Sequence, residues 1–368
     1  MPSPFRIVIV VSGLFVAVAT TVIAQRPTPS STSSAPADVT ARIVAASQAL
    51  LSVLDDAGRA KVQFPFDGPQ KTRWSNFPSP MFRREGLRLA DVTPAQRAAV
   101  MTILSVALSR DGYRKVTDIM RGDEALRKTE SSGGGRGPGG RGPGGRGGPG
   151  VPGGAGGAPA FGENEYYLAF VGTPSATAPW MLQFGGHHLA INLTLAGSQA
   201  TMAPSLPAAQ PATYTFEGQT IRPLGRENDK GFALINALDD KQRSQAILGY
   251  RVSDLVLGPG QDGRTIQPEG IRASALSNSQ QAMLWDLVRE WSGIMNETFA
   301  EPRMTELRTH LNDTYFAWSG PTTNGSAAYF RIQGPTLVIE YAPQESVDHI
   351  HTIYRDPTND YGVKFARR

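Results

Sequence analysis

The sequence predicts an α+β fold made of two pseudo-symmetric tandem repeats, each with helices plus antiparallel strands, the helices packed on a sheet. Three observations predict it. Short boxes recur at constant offsets, apolar residues between them follow helical spacing, and each copy ends in two strand-like runs.

The recurrence comes first. Leu51-Ser-Val-Leu54-Asp55-Asp56-Ala-Gly-Arg59 resembles Ile235-Asn-Ala-Leu238-Asp239-Asp240-Lys-Gln-Arg243 at an offset of 184 residues. At that offset Glu85-Gly86-Leu87-Arg88 matches Glu269-Gly270-Ile271-Arg272, and Gln96 matches Gln280. Tyr167-Leu-Ala169-Phe170-Val-Gly172 then resembles Tyr315-Phe-Ala317-Trp318-Ser-Gly320, with the offset reduced to 148. Gly186, Leu189 and Ile191 match Gly334, Leu337 and Ile339 in the same register. The 36-residue difference is close to the length of a glycine-rich stretch and its flanks in the first copy. The globular region is therefore placed at 38–366, with copy one at about 38–195 and copy two at about 225–345. Two such halves about a pseudo-twofold axis can share one antiparallel sheet, and a site is expected between them.

Each element has a local reason. The Leu-Asp-Asp boxes read as helix starts, with carboxylates at the positive end of the helix. A long helix follows, Pro94–Leu126 in one copy and Ser279–Leu311 in the other, with Val100, Ile103, Leu104, Ala107 and Leu108 at helical spacing. Thr93 before Pro94, and Ser277-Asn278, supply the caps. The strands are expected as Trp180–Phe184 and His187–Leu195 around a Gly185-Gly186 turn. In copy two they are Tyr329–Ile332 and Thr336–Tyr341, joined at Gln333-Gly334-Pro335.

Three segments stand outside this core. Residues 1–24 carry Arg6, a long apolar run and Val22-Ile23-Ala24, the pattern of a cleaved secretory signal; the rival reading is an uncleaved anchor. Export to the periplasm or the exterior is expected, with no stable membrane span once the signal is removed. Residues 25–37 read as a Pro/Ser/Thr-rich tether, and 131–160 as a disordered glycine-rich insert. Cysteine is absent, so neither lipid attachment through a thiol nor a disulfide is available. Lys+Arg number 36 against 32 Asp+Glu, and the excess equals Arg6 plus Arg136, Arg141 and Arg146 of the insert. The folded part is near neutral, and no nucleic-acid partner is expected. Arg-Gly tracts can bind RNA, but a solvated spacer is the reading kept for an exported chain.

Four of the five histidines are paired, as His187-His188 and His349-Ile-His351. A His-x-His on a strand puts both rings on one face, a common way to offer a metal two imidazoles. On the strand reading His349 and His351 share a face with Val347 and Ile353, and His187 with Leu189, Ile191 and Leu193. His188 shares a face with Asn192 as a fourth ligand or a supporting donor. Buried imidazoles need partners. The expected metal set is thus His187, His349, His351 and His188, for a divalent transition metal such as Zn²⁺, Cu, Fe or Mn. The competing reading is that the histidines satisfy one another and nearby carbonyls or carboxylates. Asp348, Asp356 and Asp360 lie nearest in sequence as carboxylate ligands, and Glu340 is on a copy-two strand. The copy-two positions matching His187 and His188 are Pro335 and Thr336, so the histidines break the internal symmetry. Arg355, Asp356, Asn359 and Asp360 are expected to bind substrate, against the alternative of a well-capped turn. Thr173, Ser175 and Thr177 are nucleophile candidates, although a strand-connecting loop fits them better.

The Gly172-Thr-Pro-Ser175, Phe184-Gly-Gly-His-His-Leu-Ala-Ile-Asn192 and His349-Ile-His-Thr-Ile-Tyr-Arg-Asp-Pro-Thr-Asn-Asp-Tyr-Gly362 stretches resemble a secreted bacterial family known only as domain of unknown function 3500. The resemblance runs from about residue 40 to 365, excluding the insert, and implies no known activity, cofactor or catalytic residue. It implies a further histidine-bearing segment past Gly362.

Two functional classes follow. One is a metal-dependent extracytoplasmic enzyme, a hydrolase or oxidase using the histidines. The other is a non-enzymatic envelope module, either structural or binding a small molecule, peptide or glycan.

Overall fold

The computed structural model describes residue 1 and residues 35–131, 159–344 and 346–365. The expected signal peptide, most of the tether and nearly all of the glycine-rich insert lie outside the described residues. The protein is α+β, with eight α-helices among the described residues.

Helix α1 (Pro36–Ser52) begins inside the expected tether, because Pro36 occupies its first turn after an extended Ala35. It buries Val39, Ile43, Leu50 and Leu51 along one face. Helix α2 (Asp56–Val62) starts where Asp55 accepts a hydrogen bond from the Gly58 amide at 2.7 Å. Thr93 and Gln96 form a reciprocal cap on α3 (Pro94–Ala107), which is followed by α4 (Arg110–Ser131). Side-chain caps of the same kind occur later in the chain. Helix α5 (Gly225–Ala237) precedes α6 (Asp240–Ala246), capped by Asp239 and Gln242. Helix α7 (Asn278–Ser292), capped by Ser277 and Gln280, precedes α8 (Glu297–Thr309).

Each long helix of the sequence reading is thus two helices. The expected Pro94–Leu126 helix breaks at Leu108-Ser109, and the expected Ser279–Leu311 helix at Gly293–Asn296. The breaks satisfy each other. The Ser109 amide donates to Ile294 O at 3.0 Å and the Asn296 amide to Ala107 O at 3.0 Å, so groups freed from two helices pair across the junction. Ser109 Oγ accepts from the Gly112 amide at 2.9 Å and donates to Gly293 O at 2.7 Å. A Cβ on Gly112 would overlap the Ile294 carbonyl.

Strands β1 (Gln63–Phe64) and β2 (Leu87–Arg88) both pair with β3 (Tyr167–Val171), the first parallel, the second antiparallel. The sheet continues through β4 (Trp180–Gly186), β5 (Leu189–Ala196) and β6 (Gln199–Thr201), with β7 (Leu206–Pro207) on β5. Strands β8 (Tyr214–Phe216) and β9 (Gln219–Ile221) form a separate hairpin. A second sheet, antiparallel throughout, runs in the order β10 (Ile271–Arg272), β11 (Tyr315–Ser319), β12 (Tyr329–Gly334), β13 (Leu337–Pro343), β14 (Ile350–Arg355). One core packs Phe170, Trp180, Leu182 and Phe184 with Ile43, Val100 and Ile103. The other packs Phe316, Trp318 and Phe330 with Phe232, Leu284 and Leu287.

Instead of one shared sheet there are two, bridged by residues 205–209. Leu206 and Pro207 pair with β5, while Ser205 and Ala209 exchange backbone hydrogen bonds with Tyr354 and Ile350 of β14 at 2.8–2.9 Å. That short segment holds the start of β5 beside the start of β14.

The paired helix breaks make a stability test. Gly112→Ala is expected to destabilise the protein by about 2–4 kcal/mol in urea, because a side chain forces the two backbones apart. Gly249→Ala, at a site with open space around it, is expected to change stability by less than about 0.5 kcal/mol. Equal effects would contradict the close approach.

Candidate metal centre

The histidines of the first pair are a turn, not a strand. Gly186 pairs with Leu189, so His187-His188 is the two-residue loop of the β4–β5 hairpin, and His188 has a φ of 60°. The equivalent loop of the β12–β13 hairpin is Pro335-Thr336, between paired Gly334 and Leu337. Gly185-Gly186 invited the wrong turn assignment. Gly186 is needed inside the strand because a Cβ there would lie 2.7 Å from the Tyr166 ring. The expected face-sharing of His187 with Leu189 and of His188 with Asn192 therefore does not occur. Asn192 instead donates to Pro204 O at 2.9 Å and accepts from Gln183 Nε2 at 3.0 Å.

The loop is pinned by neighbours. Tyr166 Oη donates to His187 O at 2.8 Å, and the His188 amide to Asn76 O at 3.1 Å. His188 O accepts from the Ala208 amide at 2.9 Å, inside the bridging segment. Arg84 Nη2 spans Ser75 O, Phe77 O and Gly186 O at 2.6–2.7 Å, tying the 75–77 loop to the hairpin.

One ring nitrogen each from His188, His349 and His351 lie within 4.8 Å of one another. His188 Nε2 and His349 Nε2 are 2.9 Å apart. His349 immediately precedes β14 and His351 is its second residue, so alternation puts both rings on one side. His188 and His351 are buried, and His349 is half-buried. His351 Nδ1 lies 2.9 Å from Asp254 Oδ1, and its Nε2 lies 3.2 Å from Asn76 Nδ2. Asp254 is itself held, by the Leu255 amide at 2.8 Å and by Gln344 Nε2 at 2.9 Å. A carboxylate behind an imidazole fixes its tautomer and orientation and raises its basicity toward a metal. His188 Nδ1 is buried with no hydrogen-bond partner.

His187, expected among the ligands, lies outside this trio. Its Nδ1 pairs with Asp123 Oδ1 at 2.6 Å, and Asp123 Oδ2 accepts from the Gly162 amide at 2.8 Å. The His187 ring lies against His188, tilted by 31° with centroids 3.7 Å apart. The carboxylates nearest in sequence are engaged elsewhere. Asp348 accepts from the Ala212 amide, and Glu340 from the Val256 and Leu257 amides and Tyr329 Oη.

The residues expected to bind substrate sit in a tightly bonded turn. Arg355 pairs with Asp262 and Asp360 at 2.9 Å, Asp356 pairs with Arg303 at 3.3 Å, and Asn359 Oδ1 accepts from the Lys364 amide at 3.1 Å. Arg355 lies four positions along the strand from His351, about 13 Å of rise. Ser175 Oγ accepts from the Thr177 and Ala178 amides at 3.2 and 3.0 Å, ordinary loop chemistry. Asp254, Asn76, Asp123 and Arg84 were not singled out by sequence, and none lies in a motif with the histidines.

Burial is the main cause that pushes His188 well below the usual imidazole range, with His187, His351 and His349 adding to it. Burial, then His351 and His187, lower His349 to about 4, against a smaller opposing effect of Asp254. Burial raises Asp254, but the hydrogen bond and charge of His351 outweigh it and leave the carboxyl below its ordinary value. Neutral imidazoles are the ligand form. In metal-free protein the unfolded chain then binds protons that the folded chain refuses between about pH 6.5 and 4. Stability is expected to be full above pH 6.5 and to fall as pH drops toward 4. Thermal melts of chelator-treated protein check this, and His349→Gln is expected to flatten the dependence. A melt that rises on acidification across that window contradicts it.

The family model described as Protein of unknown function (DUF3500) matches residues 36–363. No curated protein and no solved structure matches the chain. Among the described residues, no helix is long and apolar enough to cross a membrane.

Proposed function

We propose that this chain, which belongs to the family Protein of unknown function (DUF3500), holds one divalent transition metal ion on His188, His349 and His351 and uses it for catalysis outside the cytoplasm. The observation that carries the reading is the convergence of three imidazoles, from segments about 160 residues apart, within 4.8 Å. The lowered proton affinity of His188 and His349 and the carboxylate behind His351 support it. Three neutral nitrogen donors leave a coordination position for water or substrate, and such an ion acidifies water or polarises a bound group. Zinc in this set suits a hydrolase, whereas copper or iron suits an oxidase. Half-buried His349 marks the side from which solvent reaches the centre.

Two further readings belong with this one. The chain arose by tandem duplication, supported by the repeated order of helices and strands, the matched caps at Thr93/Gln96 and Ser277/Gln280, and the matched two-residue turns. The histidine turn then specialises one copy. Export rests on the apolar run before Gln25, and amino-terminal sequencing of secreted material is expected to begin at residue 25. A chain starting at residue 1 contradicts it.

Metal analysis tests the centre. The purified protein is expected to carry about one ion per chain, and His349→Ala/His351→Ala to lose it. Asp254→Asn is expected to keep the stoichiometry at saturation and to weaken affinity roughly 10–100-fold. Equal metal content in the wild type and the double-histidine variant overturns the proposal.

A further inference from the structure

A groove of about 510 Å³ lies on the first half of the molecule, lined in part by Lys61, Phe64, Arg83, Arg84, Arg88 and Tyr167. Four cations face it against two carboxylates, Glu85 and Asp91. Two of the guanidinium groups are incompletely satisfied. Arg84 Nη1 and Arg88 Nε are buried without a hydrogen-bond partner. A buried, charged donor with no acceptor is costly, and both belong to residues that line this groove, which points to an acceptor supplied from outside the chain. Each arginine is otherwise held firmly. Arg84 uses Nη2 on three backbone carbonyls, and Arg88 pairs with Glu165 through Nη2 and with Asp91 at 3.7 Å. Their remaining N–H groups are therefore pre-positioned, which lowers the ordering cost of binding. Burial lowers Arg84 to about 10, so it stays charged at neutral pH.

The other half lacks the constellation. At the 184-residue offset Lys61, Arg83 and Arg84 meet Gln245, Gln267 and Pro268, and only Arg88 has a counterpart, Arg272. The basic groove is thus peculiar to the half that carries His187-His188, and Arg84 touches both, through Gly186 O.

We infer that this groove binds an oxyanion, a phosphate or sulfate either free or as the charged group of a larger ligand, on the guanidinium groups of Arg84 and Arg88 with Lys61 and Arg83 at its rim. Forked arginines match such anions in geometry as well as charge. Phe64 and Tyr167 offer aromatic surface to whatever the anion is attached to. The inference uses no histidine and stands whether or not a metal binds.

Calorimetric titration of the metal-free full chain with inorganic phosphate, and separately with phenyl phosphate, tests it. Saturable binding of one anion per chain is expected. Lys61→Ala/Arg83→Ala, which removes two exposed cations and leaves Arg84 and Arg88 in place, is expected to weaken it at least 10-fold with an unchanged melting temperature in the absence of anion. Tighter binding of phenyl phosphate supports the site and assigns the anion to a larger ligand; equal binding supports it with a free anion. Absence of saturable heat with both probes, or equal affinity in the variant, overturns the inference. Neither result depends on metal content, so failure here is separable from failure of the metal centre.

Discussion

The arrangement depends on one short stretch of backbone hydrogen-bonded on both sides. Residues 205–209 pair with β5 through Leu206 and Pro207 and with β14 through Ser205 and Ala209. Ala208 reaches back to the carbonyl of His188, one residue from where β5 begins. That splice sets the histidine turn of one sheet directly against the histidine strand of the other, and the helix junction at Ser109 and Ile294 and the Asn76–His351 contact tie the same two halves elsewhere. Backbone pairing, being obligatory for buried amides, is a more exacting way to bring two distant segments together than side-chain packing alone.

Convergence carries a cost that points to its purpose. Burial and the neighbouring imidazoles hold His188 and His349 below the usual imidazole range, and the His188 Nδ1 left without a partner forfeits about 1–3 kcal/mol. The surrounding structure spends ordinary interactions to maintain this. Tyr166, Asn76 and Arg84 clamp the backbone of the loop, Asp254 orients His351, and Asp123 holds His187 against the His188 ring. Such an arrangement suits the metal centre proposed above.

Local chemistry was legible in the sequence and long-range chemistry was not. Asp55, Thr93, Asp239 and Ser277 cap helices as their positions imply, because capping involves residues two or three apart. The strand pairs were found with ends off by one or two residues. The helix breaks were missed because apolar spacing continues through Leu108, and what stops the helix is a partner backbone almost two hundred residues away. Turn chemistry alone points to the glycine pair as the turn, although packing against Tyr166 is what demands a glycine at 186. His188, His349 and His351 were recognisable from their pairing. Asp254 and Asn76 were not, since their relation to His351 exists only after the chain has folded. For the polar run from Arg355 to Asp360 the density of charge is visible in sequence, while the mutual saturation of those charges is not.

X-ray absorption at the edge of the metal bound by the purified protein addresses the central claim most directly. The account expects a shell dominated by three imidazole nitrogens at about 2.0–2.1 Å if the metal is zinc, with one further light-atom ligand. A shell containing fewer than two imidazoles would contradict it.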